Sequence, residues 1–249
     1  MIPDAYDLKR HVRKHLVKLW RAECLVGCCS APAYVFTDQE RFDSDEVDLI
    51  GRTVSTGVLN LPHPAVIFEL KDRGPLFRSQ VVYARQVGAV VEAIYFVQER
   101  GTKRWSDVIA HAVFTPEGYA DIETNPGITR PEDRNKYAEV IAAIVWRSLA
   151  ILSQAGVVAE RTVSRVHRPK LAGAGIRGWT WHQVDIVPER LVRTSEQQGG
   201  THASPRWHIR RGHWRQFADG RRVFVRACEV GDPARGGVIK DYVIGECAA

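Results

Sequence analysis

The sequence has few of the features that mark a secreted, membrane-spanning or nucleotide-binding protein. Five cysteines make an odd count, and their spacing offers neither a disulfide framework nor the paired CxxC motifs of a zinc module. We therefore expect buried thiols in a reducing compartment and no bound metal. No apolar run is long enough to cross a bilayer, and no targeting segment is visible. No G-x-G-x-x-G or P-loop motif follows a strand pattern. These absences predict a cytoplasmic protein without a cofactor or a membrane partner.

The positive charge of the chain is concentrated in its last third. The formal net charge is +6, yet residues 160–249 carry 16 Lys and Arg against 9 Asp and Glu, while residues 1–159 carry 19 against 20. Four of the seven Trp lie in the same last third. Cations interleaved with aromatic rings are typical of surfaces that bind phosphates and bases, so this region is predicted to contact nucleic acid. The alternative is that the arginines only solvate the faces of a small β-domain.

The first 160 residues are predicted to form an α+β domain. Apolar positions at helical spacing predict a helix over residues 5–21, whose basic side we interpret as a solvated face and not as an RNA- or membrane-binding one. Four short strands follow between residues 65 and 114 as an antiparallel meander. A helix is then predicted to begin at a Thr129 cap and to run to about residue 154. It is apolar on nearly every side, so we expect the meander to pack on it.

The remaining residues are predicted to form a connector and a second domain. Residues 161–178 are basic and contain three glycines, which indicates a connector with little core. Residues 179–249 are predicted to form a small basic antiparallel sheet, with a strand at 179–187, a hairpin, a loop at 231–237 and a last strand at 238–244. The predicted fold class is therefore α+β, with an N-terminal meander packed on a long buried helix and a basic β-domain at the C-terminus.

The functional interpretation depends on the hairpin. Residues His208–Arg215 are predicted as its first strand, Asp219-Gly220 as a two-residue turn, and Arg221–Arg226 as its second strand. Strict alternation leaves neither face of the first strand uniform, whereas a β-bulge at Gly212 would reverse the alternation at that point. With the bulge, one face would carry His208, Arg210, His213 and Arg215.

Two histidines and two arginines on one face are the groups that metal-independent cleavage of RNA requires. A base removes the 2′-hydroxyl proton, an acid protonates the leaving oxygen, and cations stabilise the phosphorane. The candidate catalytic residues are His208, His213, Arg210, Arg215 and Tyr242. The same surface serves equally for binding, with arginines on phosphates and rings on bases. The candidate nucleic-acid-binding residues are Arg206, Arg211, Trp214, Arg221, Arg222, Arg226, Lys240, Arg168 and Lys170. A purely structural role, in ion pairs and backbone hydrogen bonds, is the third interpretation.

The same residues carry a resemblance to a known family. The run His208-Ile209-Arg210-Arg211-Gly212-His213-Trp214, followed by Phe217 and Phe224-Val225-Arg226, resembles the C-terminal signature of a type V-A anti-CRISPR family. Members of that family lower expression of the host's type V CRISPR nuclease by acting on its transcript as the nascent protein emerges. Similar uncharacterised phage and plasmid proteins continue into a strand that corresponds to Lys240-Asp241-Tyr242 here. The resemblance covers residues 205–244, about a sixth of the chain, and Arg215 stands where the anti-CRISPR members have a histidine.

The resemblance implies a phage- or mobile-element-encoded inhibitor of host defence that acts at the RNA level in the bacterial cytoplasm. Its hairpin would contact RNA, expected to be mRNA at the ribosome and to be degraded as a result, while residues 1–160 would select a host protein or nascent peptide. Two alternatives stay open: a stand-alone metal-independent endoribonuclease of toxin type, and a purely protein-binding module. The sequence leaves undecided whether the protein is an enzyme and whether it forms a homodimer.

Overall fold

The structure divides the chain into two units. The computed structural model describes residues 2–45, 47, 60–71, 75–102, 104–115, 118–152, 157–176, 178–186, 206–210, 213–225, 228–230 and 232–237. The large unit comprises residues 1–193 and 216–223, and the small unit comprises residues 194–215 and 224–249. Both units contain strands, and the helices lie in the large one, so the predicted α+β fold class is confirmed.

An eight-stranded mixed sheet forms the centre of the large unit. Its order is β6-β5-β4-β3-β2-β1-β8-β7. The strands are β1 Ala33–Phe36, β2 Ala65–Lys71, β3 Phe77–Val87, β4 Val90–Glu99, β5 Ala110–Thr115, β6 Gly118–Thr124, β7 Val158–Thr162 and β8 Thr180–Val184. Strands β2 to β6 form an antiparallel meander, which has one strand more than predicted. Strand β1 pairs in parallel with β2 on one side and with β8 on the other.

Both faces of this sheet are covered by apolar side chains. In β3, Val82 and Ala84 belong to one core, and the alternating neighbours Val81 and Tyr83 belong to a second core on the other face. The first core includes buried side chains of the helix Arg134–Leu152, and the second core includes those of the helix Asp4–His15. A strand segment that is buried on both faces has a continuous apolar sequence, as residues 81–84 of β3 have.

The first helix, α1 (Asp4–His15), is held against β2 by a buried carboxylate. Glu69 is fully buried and accepts the backbone N–H groups of Asp4 at 3.1 Å and Ala5 at 2.7 Å. These donors have no partner inside the helix, and a negative charge is favoured at a helix N-terminus. The basic side of α1 differs from the prediction in one residue, because Lys9 is buried and donates to the Ala31 carbonyl at 2.6 Å.

Helix α3 (Arg134–Leu152) is the predicted buried helix, and its packing is confirmed. It follows a short helix α2 (Gln39–Phe42) in the chain and is preceded by a 3-10 turn at Pro131–Asp133. Its apolar side chains Ile141 and Val145 are buried in the first core. The predicted cap is wrong, because the Thr129 hydroxyl donates to the Asn125 carbonyl and does not bind the start of the helix.

The boundary between the two units lies later in the chain than predicted. Residues 161–178 were expected to be a connector, but they contain the end of β7 and the short helix α4 (Arg168–Gly173), and Leu171 and Ile176 are buried in the second core. The strand predicted at 179–187 is β8, and it belongs to the large sheet because it pairs with both β1 and β7. Trp181 of β8 is buried in the second core and Val184 in the first.

The C-terminal strands form two small sheets. Strand β9 (Arg206–Arg210) pairs antiparallel with β12 (Cys228–Val230) and in parallel with β13 (Asp232–Gly237). Strands β10 (His213–Gln216) and β11 (Arg222–Val225) pair with each other. The loop predicted at 231–237 is therefore strand β13 over residues 232–237, while the predicted strand at 238–244 lies outside the described residues. Within the part of the chain that the structure describes, no helix has the length and apolar character to cross a membrane.

Candidate nucleic-acid interface

The predicted first strand of the hairpin is divided between two sheets. Residues 206–210 form β9, whereas residues 213–216 form β10, and the strands pair with different partners. The predicted bulge at Gly212 and the neighbouring Arg211 lie outside the described residues. Because a single continuous strand is not formed, the alternation argument no longer relates the side chain of His208 to that of His213.

The structure places the candidate catalytic residues on separate strands. His208 and Arg210 lie on β9, where their Cα partners are Val230 and Cys228 of β12. His213 and Arg215 lie on β10, which pairs with β11. Tyr242 lies outside the described residues. Strand order alone therefore does not assemble a two-histidine active site, and that arrangement stays a prediction.

The exposed part of the hairpin combines an aromatic ring with two arginines. Trp214 is 43% exposed, and its ring meets Phe224 edge-on with centroids 5.4 Å apart and an interplanar angle of 67°. This contact packs the indole against Phe224 of β11. Arg215 and Arg222 are also exposed. Trp214 and Arg215 are successive residues of one strand, so their side chains point to opposite faces. An exposed indole can stack on a base, and an exposed guanidinium can bind a phosphate.

The other candidate binding residues have different surroundings. Arg168, at the start of α4, is half-buried and its Nε donates to the Val163 carbonyl at 2.9 Å. Lys170 is exposed on the same helix. Arg206 lies on β9. Two further candidates, Arg226 and Lys240, lie outside the described residues.

The loop of the hairpin has three residues and not the two predicted. Phe217 N–H donates to the Arg221 carbonyl at 2.8 Å, and Gly220 N–H donates to the Phe217 carbonyl at 3.0 Å. Gly220 has φ of 82°, while Asp219 has a negative φ, which excludes the two-residue turn that needs positive φ at both positions. Asp219 instead uses its carboxylate to accept the Arg221 N–H at 3.1 Å.

Arg221 was predicted to contact nucleic acid, and the structure corrects this prediction. Its side chain is 1% exposed. The guanidinium donates from Nε to Asp219 at 2.7 Å and from Nη1 to the carbonyl of Leu152, the last residue of α3, and it lies over the Phe217 ring at 4.2 Å. The last carbonyls of a helix lack partners within it and attract cations. Arg221 therefore anchors the hairpin loop inside the large unit.

The charge of Asp219 affects the pKa values of one tyrosine and two histidines, of which Tyr34 and His182 are buried and His63 is half-buried. His63 Nε2 lies 2.9 Å from the Tyr34 hydroxyl, and the His182 ring stacks on Tyr34 with centroids 4.7 Å apart. Burial lowers the pKa of both histidines and raises that of Tyr34, while the charge of Asp219 opposes the lowering for each histidine. Both imidazoles are therefore neutral at pH 7. No sequence motif indicates this group, because its members come from three distant segments.

A cationic groove runs along α1 on the surface of the large unit. A cavity of about 600 Å³ is lined by Arg10, Lys14, Arg104 and Trp105 together with two histidines of α1. A neighbouring cavity of about 550 Å³ is also lined by Arg10, and it adds cationic side chains of β3 and α4. These are Arg78, His167 and Lys170. Two carboxylates also line the groove: Asp7 lies in both cavities and pairs with Arg10, and Asp4 lies in the second and pairs with Arg78. The basic side of α1, which we interpreted as a solvated face, is therefore one wall of a groove that also contains the candidate residue Lys170.

The cysteines of the N-terminal segment have different environments. Cys28 is fully buried, and burial raises the pKa of its thiol to about 12. Cys29 donates to the Lys9 carbonyl at 3.5 Å. Cys24 lies beside Glu92 and His111, and these three are the residues that could hold a metal ion. The sequence spacing of the cysteines did not indicate this group, because its other two members lie on the sheet.

Comparison with known proteins gives no relative for this chain. No family model matches it, and no curated protein and no solved structure matches it either. The functional interpretation therefore depends on the chain's own residues and on the resemblance of its C-terminal segment.

Proposed function

We propose that the protein binds RNA through exposed side chains of the β10–β11 hairpin and inhibits a host defence at the RNA level, in the cytoplasm of a bacterial host. The observation that carries this proposal is the exposed indole of Trp214 followed in β10 by the exposed Arg215. The resemblance of residues 205–244 to the anti-CRISPR family supports the choice of host defence and of mRNA as the target.

The indole, the exposed arginines and the buried Arg221 have different physical roles in RNA binding. Stacking of a base on an aromatic ring contributes about 1–3 kcal/mol, and it tolerates any base because every base has a π-face. Arginines bind the phosphates and make the affinity dependent on salt. The buried Arg221 anchor fixes the loop between the two strands, so less conformational entropy is lost when RNA orders the hairpin.

The large unit supplies target selection and further phosphate contacts in this proposal. Lys14 and Arg104 are exposed side chains that line the groove along α1, and Lys170 lines its second cavity. Ammonium and guanidinium groups along a groove are suited to a polyanion. A host protein or nascent peptide, selected by this unit, would direct the protein to one transcript.

The experiment is to purify the full-length protein from bacteria and to identify the nucleic acid that co-purifies. We expect RNA with the unmodified protein and with R130A, a control at an exposed arginine near the start of α3. The double variant W214A/R215A should retain much less RNA. A preparation free of RNA that also fails to bind added RNA at low salt would overturn the proposal.

The same preparation separates binding from cleavage. Labelled RNA incubated with and without EDTA should remain intact if the hairpin is a binding surface. Cleavage that persists in EDTA, and that is lost in a variant of His213, would support the metal-independent endoribonuclease in its place.

A further inference from the structure

Three side chains from separate elements converge at one end of the sheet. Cys24 lies in the 3-10 turn Ala22–Leu25, Glu92 on β4 and His111 on β5. The Cys24 sulfur, a Glu92 carboxylate oxygen and a His111 ring nitrogen all lie within 4.8 Å of one another. We propose that these side chains bind a divalent metal ion, with zinc as the best fit. Thiolate, imidazole and carboxylate are the ligands that zinc takes in proteins.

The strand register fixes two of these ligands on rigid backbone. His111 is the Cα partner of Ile94 across β4 and β5. Glu92 precedes Ile94 by two residues, so Glu92 and His111 point to the same face. Cys24 reaches that face from the turn, where it is 6% exposed. A tetrahedral zinc ion separates its ligand atoms by about 3–4 Å, so only a small inward movement would complete the coordination.

The His111 imidazole is the observation that points to a ligand. The residue is 8% exposed, and its Nε2 has no hydrogen-bond partner among the residues that the structure describes. A buried polar atom without a partner is costly, and a bound ion is one of the ways in which such an atom is satisfied. Burial lowers the pKa of His111, which keeps it in the neutral form that coordinates metals.

Glu92 is already oriented by a neighbouring arginine. Arg85, its Cα partner on β3, donates to Oε2 from Nε at 2.6 Å and from Nη2 at 2.5 Å. Both contacts are to one oxygen, which leaves Oε1 for a metal. Carboxylate ligands are commonly held by such a second hydrogen-bonding group, whose loss weakens metal binding about 10–100-fold.

The charges around the group favour a cation. Three carboxylates, on Glu23, Glu92 and Glu123, face two guanidinium groups, because Arg85 pairs with Glu92 and Arg21 pairs with both Glu23 and Glu123. A thiolate at Cys24 would add a further negative charge. Glu23 Oε1 lies 4.0 Å from the Cys24 sulfur, so this carboxylate can supply the fourth ligand.

A nucleophilic role for Cys24 fits these surroundings less well. Burial raises the pKa of its thiol, whereas reactive cysteines have a lowered pKa and are accessible to solvent. A bound zinc ion would deprotonate the thiol directly. The ion would then join the N-terminal turn to β4 and β5, which is a structural role.

The test uses full-length protein that has been stripped with a chelator and loaded with Co²⁺ in place of zinc. We expect one cobalt per chain, a tetrahedral visible spectrum and a thiolate-to-cobalt charge-transfer band. C24S should lose that band, and H111Q should weaken the metal affinity at least about tenfold. C29S is the matched control, because Cys29 lies in the same segment but bonds to a backbone carbonyl, and it should keep the band.

A second measurement does not depend on any variant folding. X-ray absorption of the unmodified zinc-loaded protein should show one sulfur ligand, with nitrogen or oxygen for the rest. Absence of stoichiometric binding, more than one sulfur at the metal, or an unchanged band in folded C24S would each overturn the proposal. Neither measurement involves RNA, so the outcome is independent of the proposed function.

Discussion

The buried guanidinium of Arg221 supports a quantitative prediction. R221M keeps most of the apolar length of the side chain but removes the groups that donate to Asp219 and to the Leu152 carbonyl. The Asp219 side chain is only 21% exposed, so its carboxylate would lose its cation in a largely dry environment. Breaking a buried ion pair by removing one partner costs about 3–5 kcal/mol, a large fraction of the roughly 5–15 kcal/mol that stabilises a typical domain.

Urea unfolding of the purified protein measures this cost. R222M is the matched control, because Arg222 is the adjacent arginine and is exposed, so its loss should change the free energy of unfolding by no more than about 0.5 kcal/mol. The double variant D219N/R221M should be less destabilised than R221M alone, because no uncompensated charge stays buried. If R221M and R222M lose similar stability, within about 1 kcal/mol of each other, the anchoring role of Arg221 is refuted.

Two further predictions concern the histidines of the core and the groove along α1. Burial lowers the pKa of His63 and His182 in the folded protein. As the pH falls below about 6.5, the unfolded chain therefore binds more protons than the folded one. The free energy of unfolding should be highest above that pH and decrease below it. Thermal melting across this range should show a shallower decrease for H182Q than for the unmodified protein, and an equal decrease for both would contradict the assignment. K14A/R104A should reduce the salt dependence of RNA affinity by about two phosphate contacts, whereas K136A, an exposed lysine on α3, should leave it unchanged. Equal salt slopes for the two variants would remove the groove from the interface.

Local sequence patterns predicted the elements whose signal is local. The meander and the buried α3 were predictable because alternation and turn residues determine them over short windows. The hairpin turn was predicted at the correct place, but its length was not. The Asp219 carboxylate accepts the backbone N–H of Arg221, two residues later, and within the loop Gly220 alone takes a positive φ.

Contacts between distant segments determined what the sequence did not reveal. Strand β8 was assigned to the C-terminal domain because the glycine-rich stretch before it is typical of a linker, yet it fills the position between β1 and β7. The burial of Arg221 depends on a carbonyl at the far end of α3. The group of Cys24, Glu92 and His111 has no characteristic spacing, since the register of β4 and β5 brings its members together.

The central claim is that exposed side chains of the β10–β11 hairpin bind RNA. It is tested most directly by titrating labelled single-stranded RNA with full-length protein at two salt concentrations. The account predicts affinity that falls steeply with salt, with a smaller slope in R215A. It also predicts about 5–150-fold weaker binding in W214A, the loss of about 1–3 kcal/mol of stacking, with little change in slope. Affinity that hardly varies with salt, or equal affinities for W214A and the R130A control, would contradict it.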